Sequence, residues 1–281
     1  MPKVILSRKG FDEKSGGNAS VIQDGRLIPF PIPSAESGMY YRDFFFDHGF
    51  HFLDVMKNLG INQFSECHLD PDLIRSVLPK RDIDWKPAFG QAGTAEKILR
   101  NEKIGKGDIF IFFGWYKNID RVGNKFKYRE GSSKNKGFHS IFGYLEVGQR
   151  IDLSSMNVLI PACYAKHPHV YERHRLQKPN SLYISSNQLS FDHTKPGAGA
   201  FHFHDDLKLT RAGCTKSKWR LPLLFNELLV NFKANINVEQ LHEDSVDLSI
   251  NGRGSQEVFI SSDTRVVRWA QELIRGSVIQ I

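Results

Sequence analysis

The sequence predicts an α+β fold: a single domain on a strongly bent sheet or barrel with flanking helices. Three observations point there. The short, dense apolar runs "KVILS", "DIFIFF" and "FHSIFGYLEV" have the length and composition of buried strands. Several other stretches carry helix periodicity with caps at their borders. No internal repeat or low-complexity linker divides the 281 residues, which suit one large domain. With 40% apolar and 25% charged residues, a sizeable core is expected.

"KVILS" reads as a buried strand that runs into "RKGFDEKSGGNAS", a polar loop rich in Gly and Ser. "LIPFPIPS" holds three prolines within five residues, so it is extended and not a central strand. "FHFLDVMKNL", at 50–59, fits a helix ended by Gly60. "CHLDPDLI" is a loop leading to a short helix or turn, and "TAEKILRNEKI" is a helix with Thr94 as N-cap. Two central strands are expected at Asp108–Phe113 and Phe138–Val147, with shorter ones at 157–160, 181–184, 246–250 and 257–260. "PLLFNELLVNF" reads as a helix from Pro222. The last helix is capped by Asp263 and places Val266, Ala270, Leu273 and Ile274 on one face.

The net charge of +7 favours anionic partners. Residues 117–136 hold seven Lys/Arg and two acids, most of that excess. Within them Lys125, Lys127 and Arg129 alternate with Phe126 and Tyr128, which suits a nucleic acid: cations neutralise phosphates and aromatics stack on bases. A solvated hairpin has the same composition. "AKHPHVYERHRLQK" is a second basic stretch. Trp115 and Tyr116, after "DIFIFFG", either cap the core or hold a flat ligand. Cys67, Cys163 and Cys214 lie far apart without C-x-x-C, which excludes a zinc ribbon and fits a reducing cytoplasm. The first residues carry no signal-peptide pattern, and no apolar stretch approaches the ~20 residues of a membrane span.

Histidines pair with acids in "HLDPD" (His68, Asp70, Asp72), "HPH" (His167, His169) and "FHFHDD" (His202, His204, Asp205, Asp206). None matches a strong ligand spacing, so neither metal nor cofactor is expected. Among carboxylates, Asp12 sits in a glycine-rich turn beside Arg8 and Lys9, which can hold an anion and keep the carboxylate ionised. Glu257 follows "GRGSQ", where Arg253 enters a strand, and Asp70 is a further candidate. Nucleophile-elbow, P-loop and dinucleotide fingerprints are absent, and "GAGAF" lacks their context.

The stretch "IGKGDIFIFFGWY…FHSIFGYLEVG" resembles the core of PUA-like domains, the group of the ASCH and EVE families. That resemblance implies a barrel with a nucleobase pocket at its mouth, near Trp115 and Tyr116. Over nearly its whole length the chain resembles the third of the nucleotide modification associated domain families. The matching phrases include "SRKGFD…GG", "HLDPDL", "FGQAG", "HPH", "SKWRLP" and "GRGSQEV". This implies contact with hypermodified bases in DNA.

Two classes of function follow: an enzyme acting on a modified base, most simply a DNA glycosylase, or a non-catalytic reader of such bases. Another base-modifying or hydrolytic enzyme is a third reading. The resemblance adds a setting, defence against phages with bulky cytosine modifications such as glucosylated hydroxymethylcytosine. Both main classes extrude the base. The enzyme also needs a carboxylate near the sugar. Asp12 is the first choice, with Glu257 and Asp70 as alternatives. Arg8, Lys9, Gln91, Trp115, Tyr116, Lys125, Lys127, Arg129, His139 and Arg253 form the expected base- or phosphate-binding set. The chain is expected to work as a monomer.

Overall fold

The computed structural model describes residues 1–47, 49–129, 137–155, 157–172, 176–251 and 256–280. Its centre is a strongly curled half-barrel sheet in a mixed α+β domain. Along the main path the strand order is Glu257–Ser261, Val4–Arg8, Ile109–Val122, Phe138–Asp152, Asn180–Ser185 and Ala88–Ala92. The first strand runs parallel to Ile109–Val122, pairing Val4 with Ile109 and Arg8 with Phe113. Its other edge pairs antiparallel with Glu257–Ser261. The remaining pairings on the path are antiparallel. Register shifts at Ile141/Gly143 and Val147/Gln149 mark bulges that help the long strand Phe138–Asp152 bend.

Phenylalanines fill both sides of this curve. Phe89 meets Phe110 and Phe112 edge-on inside it, and Phe11, Phe30, Phe44, Phe46 and Phe52 form a second cluster outside. That accounts for an aromatic content heavy in Phe: a curved sheet with long buried strands needs large, purely apolar side chains on both faces.

The strand expected at 3–7 forms as Val4–Arg8, those expected at 138–147, 181–184, 246–250 and 257–260 are present, and "LIPFPIPS" is extended as anticipated. The helices Phe52–Asn58 and Thr264–Gly276 form, the latter capped by Asp263, whose Oδ1 accepts the Arg265 N–H at 2.8 Å. Four expectations change. The strand expected to end at Phe113 runs to Val122 and folds back through Lys125–Tyr128, so the start of the basic segment is a β-hairpin. Residues 157–160 form no strand: Val158 and Ile160 pack on a small cluster while Leu159 is 90% exposed, and no neighbour pairs with them among the described residues. Residues Leu223–Asn231 are 3-10 helix kinked at Leu228, because their apolar residues point all round rather than to one face. The helix Gly93–Asn101 starts after Ala92 rather than Thr94, since the Gly93 N–H is already held by the carbonyls of Pro179 (2.7 Å) and Gln177 (3.2 Å).

A smaller three-stranded sheet, Lys218–Pro222, Ser245–Asn251 and Asn235–Leu241, covers one side. The three cysteines are free thiols. No helix among the described residues is long and apolar enough to cross a membrane.

Candidate active site

The two end strands of the main path, Glu257–Ser261 and Ala88–Ala92, do not pair with each other. Side chains bridge the gap instead. Gln91 Nε2 donates to Glu257 Oε1 at 2.6 Å, and Lys9 Nζ lies 3.6 Å from the same oxygen. Lys9 also donates to Gln256 Oε1 at 3.0 Å and sits 4.4 Å above the Phe89 ring. Its position is dictated by the first strand: the Arg8 N–H reaches Gln256 O and the Lys9 N–H reaches Phe113 O, which feeds the chain over the sheet end. Lys9 and Glu257 are therefore both buried and matched in charge.

Above this bridge opens a cavity of about 300 Å³, at the small end of ligand pockets. Arg8, Lys9, Asp12, Asp70 and Gln91, all read as site residues from the sequence, line it together. Glu257 lies beneath it through its contacts with Lys9 and Gln91. The structure adds His68, His169, Glu172 and Gln256 to the wall.

Asp70 turns a carboxyl that is only 5% exposed toward this cavity, and Glu172 is a second buried carboxylate in its wall, engaged by His68. Asp70 Oδ1 accepts the Gly90 N–H at 2.6 Å. Gly90 is required there, because a Cβ would stand 2.1 Å from the His169 ring. Burial pushes the Asp70 carboxyl up to about 6, against the pull of Lys9, His68 and the Gly90 N–H. His167 Nε2 lies 3.6 Å from Oδ1 and His169 Nε2 lies 3.9 Å from Oδ2. Burial holds the His169 imidazole well below its ordinary value and brings His167 down to about 3, so both rings are neutral. His68 stands edge-on to His169 with ring centres 4.9 Å apart, and its Nδ1 meets Glu172 Oε1 at 3.4 Å.

Asp12, the first-choice carboxylate, has a different task. Its Oδ1 accepts the N–H groups of Lys14 (2.8 Å) and Ser15 (2.7 Å), while Oδ2 lies 4.0 Å from Arg8. It ties the glycine-rich loop into a turn at the cavity mouth. Asp72 is likewise structural, held bidentate by Arg81 at 2.6 Å on both oxygens.

The family model of nucleotide modification associated domain 3 matches residues 3–260. The chain belongs to this family. Neither a curated protein nor a solved structure matches it. As a nucleotide modification associated domain 3 protein, it has a role related to modified nucleotides and associates with nucleic acid.

In this nucleotide modification associated domain, several expected contacts lie away from the cavity. Tyr116 is fully buried in the core, and Trp115 is 8% exposed, covered by Lys216 at 3.6 Å. The strand does not end at these aromatics, so they pack rather than form a mouth. His139 accepts a hydrogen bond from Trp219 Nε1 at 3.1 Å and packs on Phe113, which also makes it a packing residue. In the hairpin, Phe126 is buried and Tyr128 donates to Ala19 O at 2.8 Å. The alternation of cation and aromatic is thus the two faces of a strand: aromatics inward, Lys125 and Lys127 outward. Arg129 is paired with Asp120 at 2.8 Å. Arg253 lies outside the described residues.

The expectation of no metal rested on spacing within single motifs. The structure joins two of them: one atom each from His68, Asp70 and His169 lie within 4.8 Å of one another, the one such group among the described residues. The "FHFHDD" residues form none; His202 lines a separate cavity with Arg26 and Asp47.

Proposed function

We propose that this protein is a DNA glycosylase. It takes a bulky modified base, such as glucosylated hydroxymethylcytosine in phage DNA, and hydrolyses the bond to its deoxyribose, leaving an abasic site. One observation carries the reading: the Asp70 side chain, almost wholly buried, faces a cavity whose other walls offer Lys9, Gln91 and Gln256 as polar partners for a base. Family membership supports a modified nucleotide as the substrate class.

Each residue type fits a step. Extruding the base costs a few kcal/mol of stacking, which Arg8 at the mouth helps offset by meeting the backbone phosphate. The amides of Gln91 and Gln256 face polar edges of the base, and Lys9 offers a positive charge as electrons move onto it. Breaking the glycosidic bond leaves positive charge on the sugar, which Asp70 offsets while it orients the attacking water. Glu257 holds Lys9 in place. The amides and Lys9 make recognition possible without catalysis, so binding and excision are separable.

The test uses otherwise identical duplexes carrying cytosine, hydroxymethylcytosine or its glucosylated form. Incubation should release free glucosylated base, detected by mass spectrometry, with an equal number of abasic sites. Tight binding of the glucosylated duplex with no released base would make the chain a reader.

A further inference from the structure

We infer that His68, Asp70 and His169 form a binding site for one divalent transition ion of the zinc or ferrous class. The three come from two parts of the chain: His68 ends the short strand Cys67–His68 and Asp70 follows two residues later, while His169 lies in the helix Pro168–Tyr171. Their candidate ligand atoms lie within 4.8 Å of one another. Bonds to such an ion are about 2.0–2.2 Å, so a small contraction closes the group around it. Two imidazoles and a carboxylate select borderline ions rather than calcium or magnesium.

The hydrogen bonds around the group make the case independently of its spacing. His169 Nδ1 meets Asn180 Oδ1 at 2.8 Å, while Asn180 Nδ2 donates to the His169 carbonyl at 3.0 Å. The amide is therefore oriented so that Nδ1 is the donor. That leaves a lone pair on His169 Nε2, which faces Asp70 Oδ2 at 3.9 Å. The two acceptor atoms face each other in a buried place at a separation that leaves room for a cation between them. His68 has a carboxylate partner in Glu172 at Nδ1. His167 Nδ1 accepts the His169 N–H at 3.3 Å, so its proton sits on Nε2, which faces Asp70 Oδ1 at 3.6 Å. Orienting partners behind each ligand are the usual outer layer of a metal site. Lys9, whose charge would oppose a cation, is turned to Glu257.

The inference concerns the cavity used above but does not depend on base excision. If both hold, the ion lowers the pKa of a bound water and so supplies the attacking hydroxide, with Asp70 acting as its ligand.

Tag-free full-length protein, stripped with chelator and dialysed, is titrated with Co²⁺ and then Zn²⁺ in the absence of DNA. About one equivalent of Co²⁺ should bind with visible d–d absorption that Zn²⁺ removes. His68→Ala, His169→Ala and Asp70→Asn should each abolish the bands or weaken binding at least about 10-fold. Asn180→Ala should weaken it by about 10–100-fold, and His202→Ala/His204→Ala should leave it unchanged. Circular dichroism checks that each variant is folded. Wild-type protein that gives no bands and retains neither ion overturns the inference, as do bands that persist in the folded Asp70→Asn and His169→Ala variants. Base release without metal binding would overturn this inference alone, and metal binding without base release would overturn the excision reading alone.

Discussion

Gln91 Nε2 donates to Glu257 Oε1 at 2.6 Å, joining two end strands of the curled sheet that share no backbone pairing. With Lys9 3.6 Å from the same oxygen, this link closes the half-barrel just below the cavity. The pair is buried at 6% and 0% side-chain exposure, so breaking it strands a charge.

Glu257→Ala should therefore destabilise the fold by about 3–5 kcal/mol. Lys9→Met/Glu257→Leu, which removes both charges, should recover much of that loss while weakening binding of modified DNA. Urea denaturation of the two variants checks the first statement and a binding titration the second.

The hairpin should touch phosphate through its outward lysines. Lys125→Gln/Lys127→Gln should reduce the slope of log K against log salt by about 2, one counterion per lysine. Arg129→Gln should add less, because Arg129 is already engaged by Asp120. An unchanged slope for the double variant would place DNA elsewhere.

Trp115 should behave as a packing residue. Trp115→Ala should cost about 3–5 kcal/mol of stability and leave the preference for modified over unmodified DNA intact. A changed preference with an unchanged melting temperature would return Trp115 to the ligand.

Much of the cavity was legible because local cues carry it. The apolar run before Arg8 fixes a buried strand, and the glycines after it fix a charged loop at that strand's end, so Arg8, Lys9 and Asp12 fall where a site assembles. Asp70 was legible only as a candidate, since its burial depends on Gly90 and on histidines about a hundred residues away. The pairing of His68 with His169 had no linear cue: "HLDPD" and "HPH" meet only when the helix at Pro168 packs against the strand Ala88–Ala92. The hairpin's aromatics were misjudged because alternation in a strand reads the same whether the aromatics face a base or a core. The 3-10 segment after Pro222 misled because apolar content alone does not show which face, if any, is buried.

The acid limb of stability should involve Asp247. Hydrogen bonds from Arg220, Arg211 and His242 hold its carboxyl well below the usual carboxylate range despite burial. A folded-state value below the unfolded one stabilises the protein above about pH 4 and is lost as pH falls toward the folded value. Asp247→Asn should lower stability at pH 7 and flatten its decline between about pH 4 and pH 2. Equal slopes for the two proteins over that range would exclude Asp247 as a contributor.

The central claim is that Asp70 serves the excision of a modified base. Single-turnover release of glucosylated hydroxymethylcytosine should be compared in wild-type, Asp70→Asn and Asp12→Asn proteins, with duplex affinity measured alongside. Asp70→Asn should slow release by about 100-fold or more while affinity changes only a few-fold. Asp12→Asn, which keeps an oxygen for the loop N–H groups, should lose far less. Asp70→Asn protein that releases base at the wild-type rate would contradict the claim.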